Sequence, residues 1–198
     1  MFKIAALYKF VVISNPQNVS DTLTQLCKKH NILGALIVAY EGVNGTLAGS
    51  DNDMDLFIDD MMEAISELSS IDEIKFSEAT DAPFYRLRVR VKAEIVTMGC
   101  PAANPAVQKG IYVEPGDWNG LINDPEIILI DTRNSYEVEI GTFSGAVDPK
   151  TSIFREFPDF VDQNLDPEIH KKVAMFCTGG VRCEKASACK LVKFLSHR

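Results

Sequence analysis

At 198 residues, with 46% hydrophobic residues and a net charge of −8, the chain has enough apolar material for a sizeable core. That balance excludes a disordered, charge-dominated chain and a protein coated in basic surface, so any nucleic-acid contact has to come from a local patch. No apolar run reaches the length of a membrane span, and the start MFKIAALYKFVVISNP lacks the pattern of a secretory leader; a cytoplasmic protein with no membrane partner is expected. The five cysteines, Cys27, Cys100, Cys177, Cys183 and Cys189, are odd in number and form no C-x-x-C pair. This argues against a disulfide framework and against structural zinc, and no metal site is expected.

In chain order, KIAALYKFVVI is rich in strand formers, and NPQNVSDTLTQLCKKHN has helical spacing through Val19, Leu23 and Leu26. GALIVAY reads as a buried strand, and EGVNGTLAGS as a turn followed by a strand. DNDMDLFIDDMMEAISELSS reads as a helix capped by Asp51 or Asn52, and FYRLRVRVKAEIV as a closing strand of strict alternation. The order βαββαβ predicts a ferredoxin-like α+β sandwich over residues 1–95. Residues 96–116, TMGCPAANPAVQKGIYVEPG with its flanking valine, carry prolines and glycines with little periodicity and read as a linker or wrapped connection. From 117 to 198 a short helix in GDWNGLINDP leads into the strand IILIDTR. NSYEVEIGTFSGAV follows as a short helix, a turn and a strand. SIFREFPDFVDQNL, KKVAMFC and EKASACKLVKFL complete the pattern as helix, strand and helix. Strands alternating with helices predict an α/β domain with a parallel sheet, whose functional loops sit at the carboxyl ends of the strands.

Two short segments fall at such ends: Asp131-Thr132-Arg133, and the loop FCTGGVRC over residues 176–183. In the loop, Gly179 and Gly180 open backbone conformations closed to other residues. The amides of Thr178, Gly179, Gly180, Val181, Arg182 and Cys183 can then turn inward as an anion cradle at a helix start. Such a cradle favours the thiolate of Cys177. Arg182 has two destinations, a bound anion or a carboxylate of the protein. Four residues separate Cys177 from Arg182, one fewer than in the cradle of cysteine phosphatases; the smaller ring suits a terminal sulfur better than a tetrahedral phosphate.

CTGGVRCEKASA, with IDTRNSYEVEIGTFSGAV and SIFREFPDFV, resembles a rhodanese domain. Together with LYKFVVI, EGVNGTLAGS and RLRVRVKAEIVTMG in the first half, these motifs resemble the tRNA uridine hydroxylase family, whose members carry an N-terminal acylphosphatase-like, ferredoxin-like domain. The resemblance implies oxygen-dependent hydroxylation at C5 of the wobble uridine in the tRNA anticodon, with molecular oxygen as co-substrate. It further implies that Cys177 is the essential cysteine, carrying a persulfide, and that Asp131 and Arg133 brace the site through a salt bridge. No flavin signature or other cofactor site is read from the residues. Family members continue beyond the point where this chain stops, so a C-terminally incomplete rhodanese domain is expected.

Arg86, Arg88, Arg90 and Lys92 alternate with Leu87, Val89 and Val91, which sends all four cations to one face of a strand. This basic stripe in an acidic chain is a candidate RNA contact, with Tyr85 at its end as a stacking residue; the competing reading is a solvated face paired with neighbouring acids. Nothing points to DNA. Glu137 reads as structural, and Arg155 and Glu156 as residues that could reach the mouth of the site. Cys183 reads either as a packed residue or as a resolving thiol. Two other functions compete: a sulfurtransferase moving sulfane sulfur from a donor such as thiosulfate, and a non-catalytic fragment that binds tRNA or a sulfur carrier.

Overall fold

The computed structural model describes residues 1–71, 74–166 and 168–189. It divides into two compact units, Met1–Ile95 and Val96–Arg198. Among the described residues no helix is long and apolar enough to cross a membrane.

The first unit runs β1 (Phe2–Phe10), α1 (Pro16–Lys29), β2 (Leu33–Ala39), β3 (Gly42–Gly49), α2 (Asp51–Ala64), β4 (Ile74–Ala79) and β5 (Leu87–Val91). The sheet order is β4-β1-β3-β2-β5, antiparallel throughout except that β5 runs parallel to β2. Alternation decides which face is buried. Ala5 and Leu7 of β1, Leu36 and Val38 of β2, and Val43 and Leu47 of β3 share one core with Val19, Leu23 and Cys27 of α1 and Met54, Phe57 and Met61 of α2. Both helices therefore cover the same face of the sheet. Asn15 caps α1 by accepting from the Asn18 amide (3.1 Å). The cap of α2 is Ser50, one residue ahead of the expected Asp51 or Asn52, and its hydroxyl accepts from the Asp53 amide at 3.2 Å.

The closing strand of the sandwich differs from the expected one. IKFSEA forms β4 beside β1, and the alternating segment 87–91 becomes an additional strand, β5, on the opposite edge beside β2. Ile74–Ala79 buries little of itself, so its sequence carries a weak apolar signal, whereas β5 packs Leu87 and Val89 against the core. Beyond β5 the chain is tied down by the EGVN turn: the Glu41 carboxylate accepts from the Ile95 amide (2.8 Å), and Asn44 donates to the Ile95 carbonyl (3.0 Å). Gly42 at the start of β3 has φ +143°, and a Cβ there would lie 1.9 Å from the Lys9 carbonyl oxygen, so this position requires glycine.

The second unit contains α3 (Trp118–Ile122), β6 (Ile127–Asp131), α4 (Ser135–Val138), α5 (Phe157–Asn164), β7 (Lys172–Phe176) and α6 (Val181–Ala188). β6 and β7 are parallel, in the register Asp131 opposite Phe176, and Val147 adds an isolated parallel bridge to Ile130 where a further strand was expected. Helices alternate with these strands, as in an α/β layer. Residues 96–116 pack within this unit: Met98 and Ala103 join Ile130, Phe157, Val161 and Ala186 in its core, and the Gly110 amide donates to Ser187 Oγ at 2.8 Å. The expected helix over residues 184–195 is seen as α6 through Ala188; residues 190–195 lie outside the described residues.

Candidate functional site: a cysteine loop at the ends of two parallel strands

The parallel register brings the two segments singled out in the sequence together. Asp131 ends β6 directly opposite Phe176, which ends β7, and the Thr132 amide and hydroxyl both donate to the Phe176 carbonyl (3.0 and 3.1 Å). Cys177 therefore leaves β7 at a point clamped to the neighbouring strand. From there the loop Thr178-Gly179-Gly180 turns back into α6. Gly180, with φ +89°, is the residue before that helix, and its amide donates to Cys177 Sγ at 3.0 Å. Gly179 keeps an ordinary backbone and a Cβ there would meet nothing within 4 Å, so a single glycine, not the pair, carries the conformational requirement.

Cys177 is held far below the usual thiol range, at about 5. The largest cause is a hydrogen bond from the Cys183 thiol; burial opposes it, and the amides of Cys183, Gly179 and Gly180 add to it. The thiolate is therefore the resting form at neutral pH. Cys183 is pushed well above its ordinary value, first by its bond to Cys177 and then by burial, so it stays protonated and serves as the donor. Its sulfur also lies 3.5 Å from Thr132 Oγ1.

Arg182 takes the second of its two destinations. Its Nη1 and Nη2 donate to Glu137 Oε2 and Oε1 at 2.6 and 2.7 Å, and Nη2 also donates to Thr178 Oγ1 at 3.1 Å. Glu137 accepts further from the Thr178 hydroxyl (2.9 Å) and from the Asn134 amide (3.1 Å). These donors, Arg182 foremost, hold its carboxyl down to about 2 against the opposing effect of burial. The guanidinium is thus neutralised in place, and the negative sulfur is stabilised by a thiol and by amide dipoles. A doubly charged phosphate would call for a free guanidinium; a singly charged sulfur does not.

Asp131 is fully buried within its own brace. It accepts from Arg133 Nε (2.9 and 3.1 Å), Arg133 Nη2 (2.6 Å) and Thr142 Oγ1 (2.8 Å), while Arg133 reaches the Gly141 carbonyl at 2.6 Å. Burial opposes ionisation, yet these donors keep the carboxyl below its ordinary value. The Arg133 guanidinium also stands 5.7 Å from the Phe176 ring, which packs with Phe143 and Trp118. Val181 begins α6.

The residue that the sequence undervalued is Glu137. It anchors both Thr178 and Arg182 across a gap of more than forty residues, and its only sequence signal was a helical acid after the DTR segment. Glu156 is engaged elsewhere, accepting from the Ser152 amide (2.7 Å) in its own turn. The remaining cysteines are separate from the loop's chemistry: Cys27 is buried in the first unit, and Cys100 and Cys189 bring their sulfurs to 3.2 Å of each other in the second. Among the described residues no group of three or more His, Cys, Asp or Glu is placed to hold a metal ion.

Residues 2–95 match the family model described as the UPF0176 acylphosphatase like domain. A protein of Nitrobacter hamburgensis named tRNA uridine(34) hydroxylase is 50% identical over 190 residues, covering 95% of this chain and 74% of that protein. One of Teredinibacter turnerae with the same name is 48% identical over 189 residues, covering 94% of this chain and 58% of that protein. Among solved structures, the acylphosphatase of Bacillus subtilis is 14% identical, with a TM-score of 0.35 over 46% of this chain and 99% of that one.

Proposed function

Because the chain belongs to the tRNA uridine(34) hydroxylase family, we propose that it modifies tRNA, adding a hydroxyl group to C5 of the wobble uridine of the anticodon with molecular oxygen as co-substrate. The reaction belongs in the cytoplasm, where its tRNA substrate resides. What supports placing the reaction at Cys177 is geometric, the Gly180 amide 3.0 Å from its sulfur at the end of β7, together with a thiol held down at about 5.

In this reading Cys177 is the catalytic residue. Its thiolate is the reactive form, and the rhodanese-like loop of Thr178, Gly179, Gly180, Val181, Arg182 and Cys183 keeps it charged without supplying a free cation. A sulfane-sulfur donor such as thiosulfate can load it as a persulfide: the thiolate attacks the outer sulfur, the donor's S–S bond breaks and sulfite leaves, and the terminal sulfur bears the same single charge in the same ring of amides. Glu137 and Arg182 hold the loop's shape, and Asp131 with Arg133 hold the strand ends beneath it. The loop alone also suits a second activity, sulfur transfer from thiosulfate, since nothing in its geometry depends on RNA.

The two separate cleanly. The chain is incubated with unmodified tRNA bearing U34, in air and under argon, and the nucleosides are analysed by mass spectrometry; thiocyanate formation from thiosulfate and cyanide is measured in parallel. Oxygen-dependent 5-hydroxyuridine supports the hydroxylase. Thiocyanate without any hydroxylated nucleoside would replace it with the sulfurtransferase.

A further inference from the structure

β5 is an edge strand of the five-stranded sheet, paired with β2. Leu87 and Val89 turn into the core, which sends Arg88 and Arg90 to the face of the sheet that the helices leave open. The registers show what surrounds them on that face. Level with Arg88 lie Ala35, Thr46 and Ala6; level with Arg90 lie Ile37, Asn44 and Tyr8. No carboxylate stands beside either arginine across three neighbouring strands. Among the described residues, the side chains of Arg86, Arg88, Arg90 and Lys92 make no ion pair, although the chain has 28 acids to 20 lysines and arginines. Among the described residues the paired strands thus offer uncharged neighbours to Arg88 and Arg90, and the two cations repel one another along the strand.

Alternate residues of a strand are about 6.6 Å apart; Arg88 and Arg90 lie within β5, and Arg86 and Lys92, one residue beyond its two ends, extend the reach of the cations to about 20 Å. That repeat is comparable to the step between successive phosphates of an extended nucleic-acid strand. It is also a single row. A duplex would present two phosphate backbones across a groove, and the neighbouring strands offer uncharged residues where the second would lie. At the Arg86 end stands Tyr85, 97% exposed, an aromatic ring with its full face in solvent; beyond the Lys92 end, where the Lys92 amide pairs with the Val38 carbonyl, Tyr40 is 68% exposed. Cations in a row with aromatic rings at the ends are the elements of a single-strand site, in which phosphates are tracked and unstacked bases lie on rings.

We propose that the open-face row of β5 is a track for a single-stranded segment of RNA, with Tyr85 as its stacking platform; this rests on the tRNA reading above and names the part of the tRNA, a loop, that this unit holds. Each phosphate contact contributes to the salt dependence, and four of them on a single strand give a slope of log K against log salt of about −2.8.

The test measures binding of the whole chain to three labelled RNAs: a U34 tRNA transcript, its anticodon stem-loop, and a blunt duplex of matched length, across a salt series. The stem-loop is expected to bind nearly as well as the tRNA, and the duplex at least ten-fold more weakly. Arg88→Gln with Arg90→Gln is expected to weaken stem-loop binding ten-fold or more and to halve the slope, to about −1.4. Tyr85→Ala is expected to weaken it five-fold or more with the slope unchanged, because stacking releases no counterions. Circular dichroism and the rate of Cys177 alkylation monitor folding of the variants. If the wild type binds the tRNA but the double variant binds equally well, or if the duplex binds best, the track is wrong while the tRNA reading stands. Competition by a polyglutamate peptide as strong as by RNA would likewise overturn it in favour of an acidic protein partner. If the wild type binds no tRNA at any salt concentration, the tRNA reading itself fails.

Discussion

Cys177 and Cys27 carry the same side chain into opposite environments. Cys27 sits in an apolar core with no donor, and burial pushes its thiol up to about 12; Cys177 sits among a thiol and three amides and is drawn down to about 5. Alkylation by iodoacetamide, mapped by mass spectrometry, is therefore expected to modify Cys177 first, with a rate that is flat through neutral pH and falls through a midpoint near 5. Cys183→Ala removes the largest cause and is expected to raise that midpoint; an unchanged profile would show that the amides suffice. Glu137 gives a second titration. Its carboxyl lies at about 2 against an ordinary 4.5, so its contribution to stability is complete above 4.5 and is lost as the pH falls toward 2. Urea denaturation between pH 5 and 2.5 is expected to show a smaller loss of stability for Glu137→Gln than for the wild type. Of these residues Cys177 and Arg182 stand out in the sequence as members of one local motif, but the motif left Arg182 two destinations. Glu137 does not stand out, since its role arises from a contact across 45 positions that no spacing encodes.

The loop and the helix it starts illustrate how much of an element a motif can carry. Two adjacent glycines suggested a paired requirement, yet the backbone gives the left-handed conformation to Gly180 alone. Gly180→Ala is expected to cost about 1–2 kcal/mol and to raise the Cys177 midpoint, because its amide is the one 3.0 Å from the sulfur. Gly179→Ala is expected to leave both within error, its Cβ meeting open space. Thermal unfolding and the alkylation profile check the pair. Strands were legible in proportion to what they bury. β1, β2, β6 and β7 announced themselves through apolar or strand-forming runs, and β3 through the turn residues that open it. The strongest alternation, in β5, was right as a strand and wrong in its place, since the weak edge segment Ile74–Ala79 took the position beside β1. Alternation reports that a strand has two faces; it does not report which neighbour it pairs with.

At the scale of the molecule, two compact units divide the labour proposed here: a reactive sulfur in the second, and in the first a positive row in an otherwise acidic chain. The division after Ile95 was legible from the change in texture at that point, and the packed course of residues 96–116 was not, because Met98 and Ala103 show no periodicity that would mark them as core. The hydroxylation proposed here is legible in no single residue; it rests on kinship with proteins named tRNA uridine(34) hydroxylase, of which this chain spans 74% and 58%. The central claim is that Cys177 performs wobble-uridine hydroxylation. It is tested most directly in cells lacking the gene, supplied with this chain either intact or carrying Cys177→Ser, by mass spectrometry of the nucleosides of their tRNA. The account predicts that the intact chain restores 5-hydroxyuridine-derived nucleosides and that the Cys177→Ser chain, present at the same level, restores none. Equal restoration by both would contradict it.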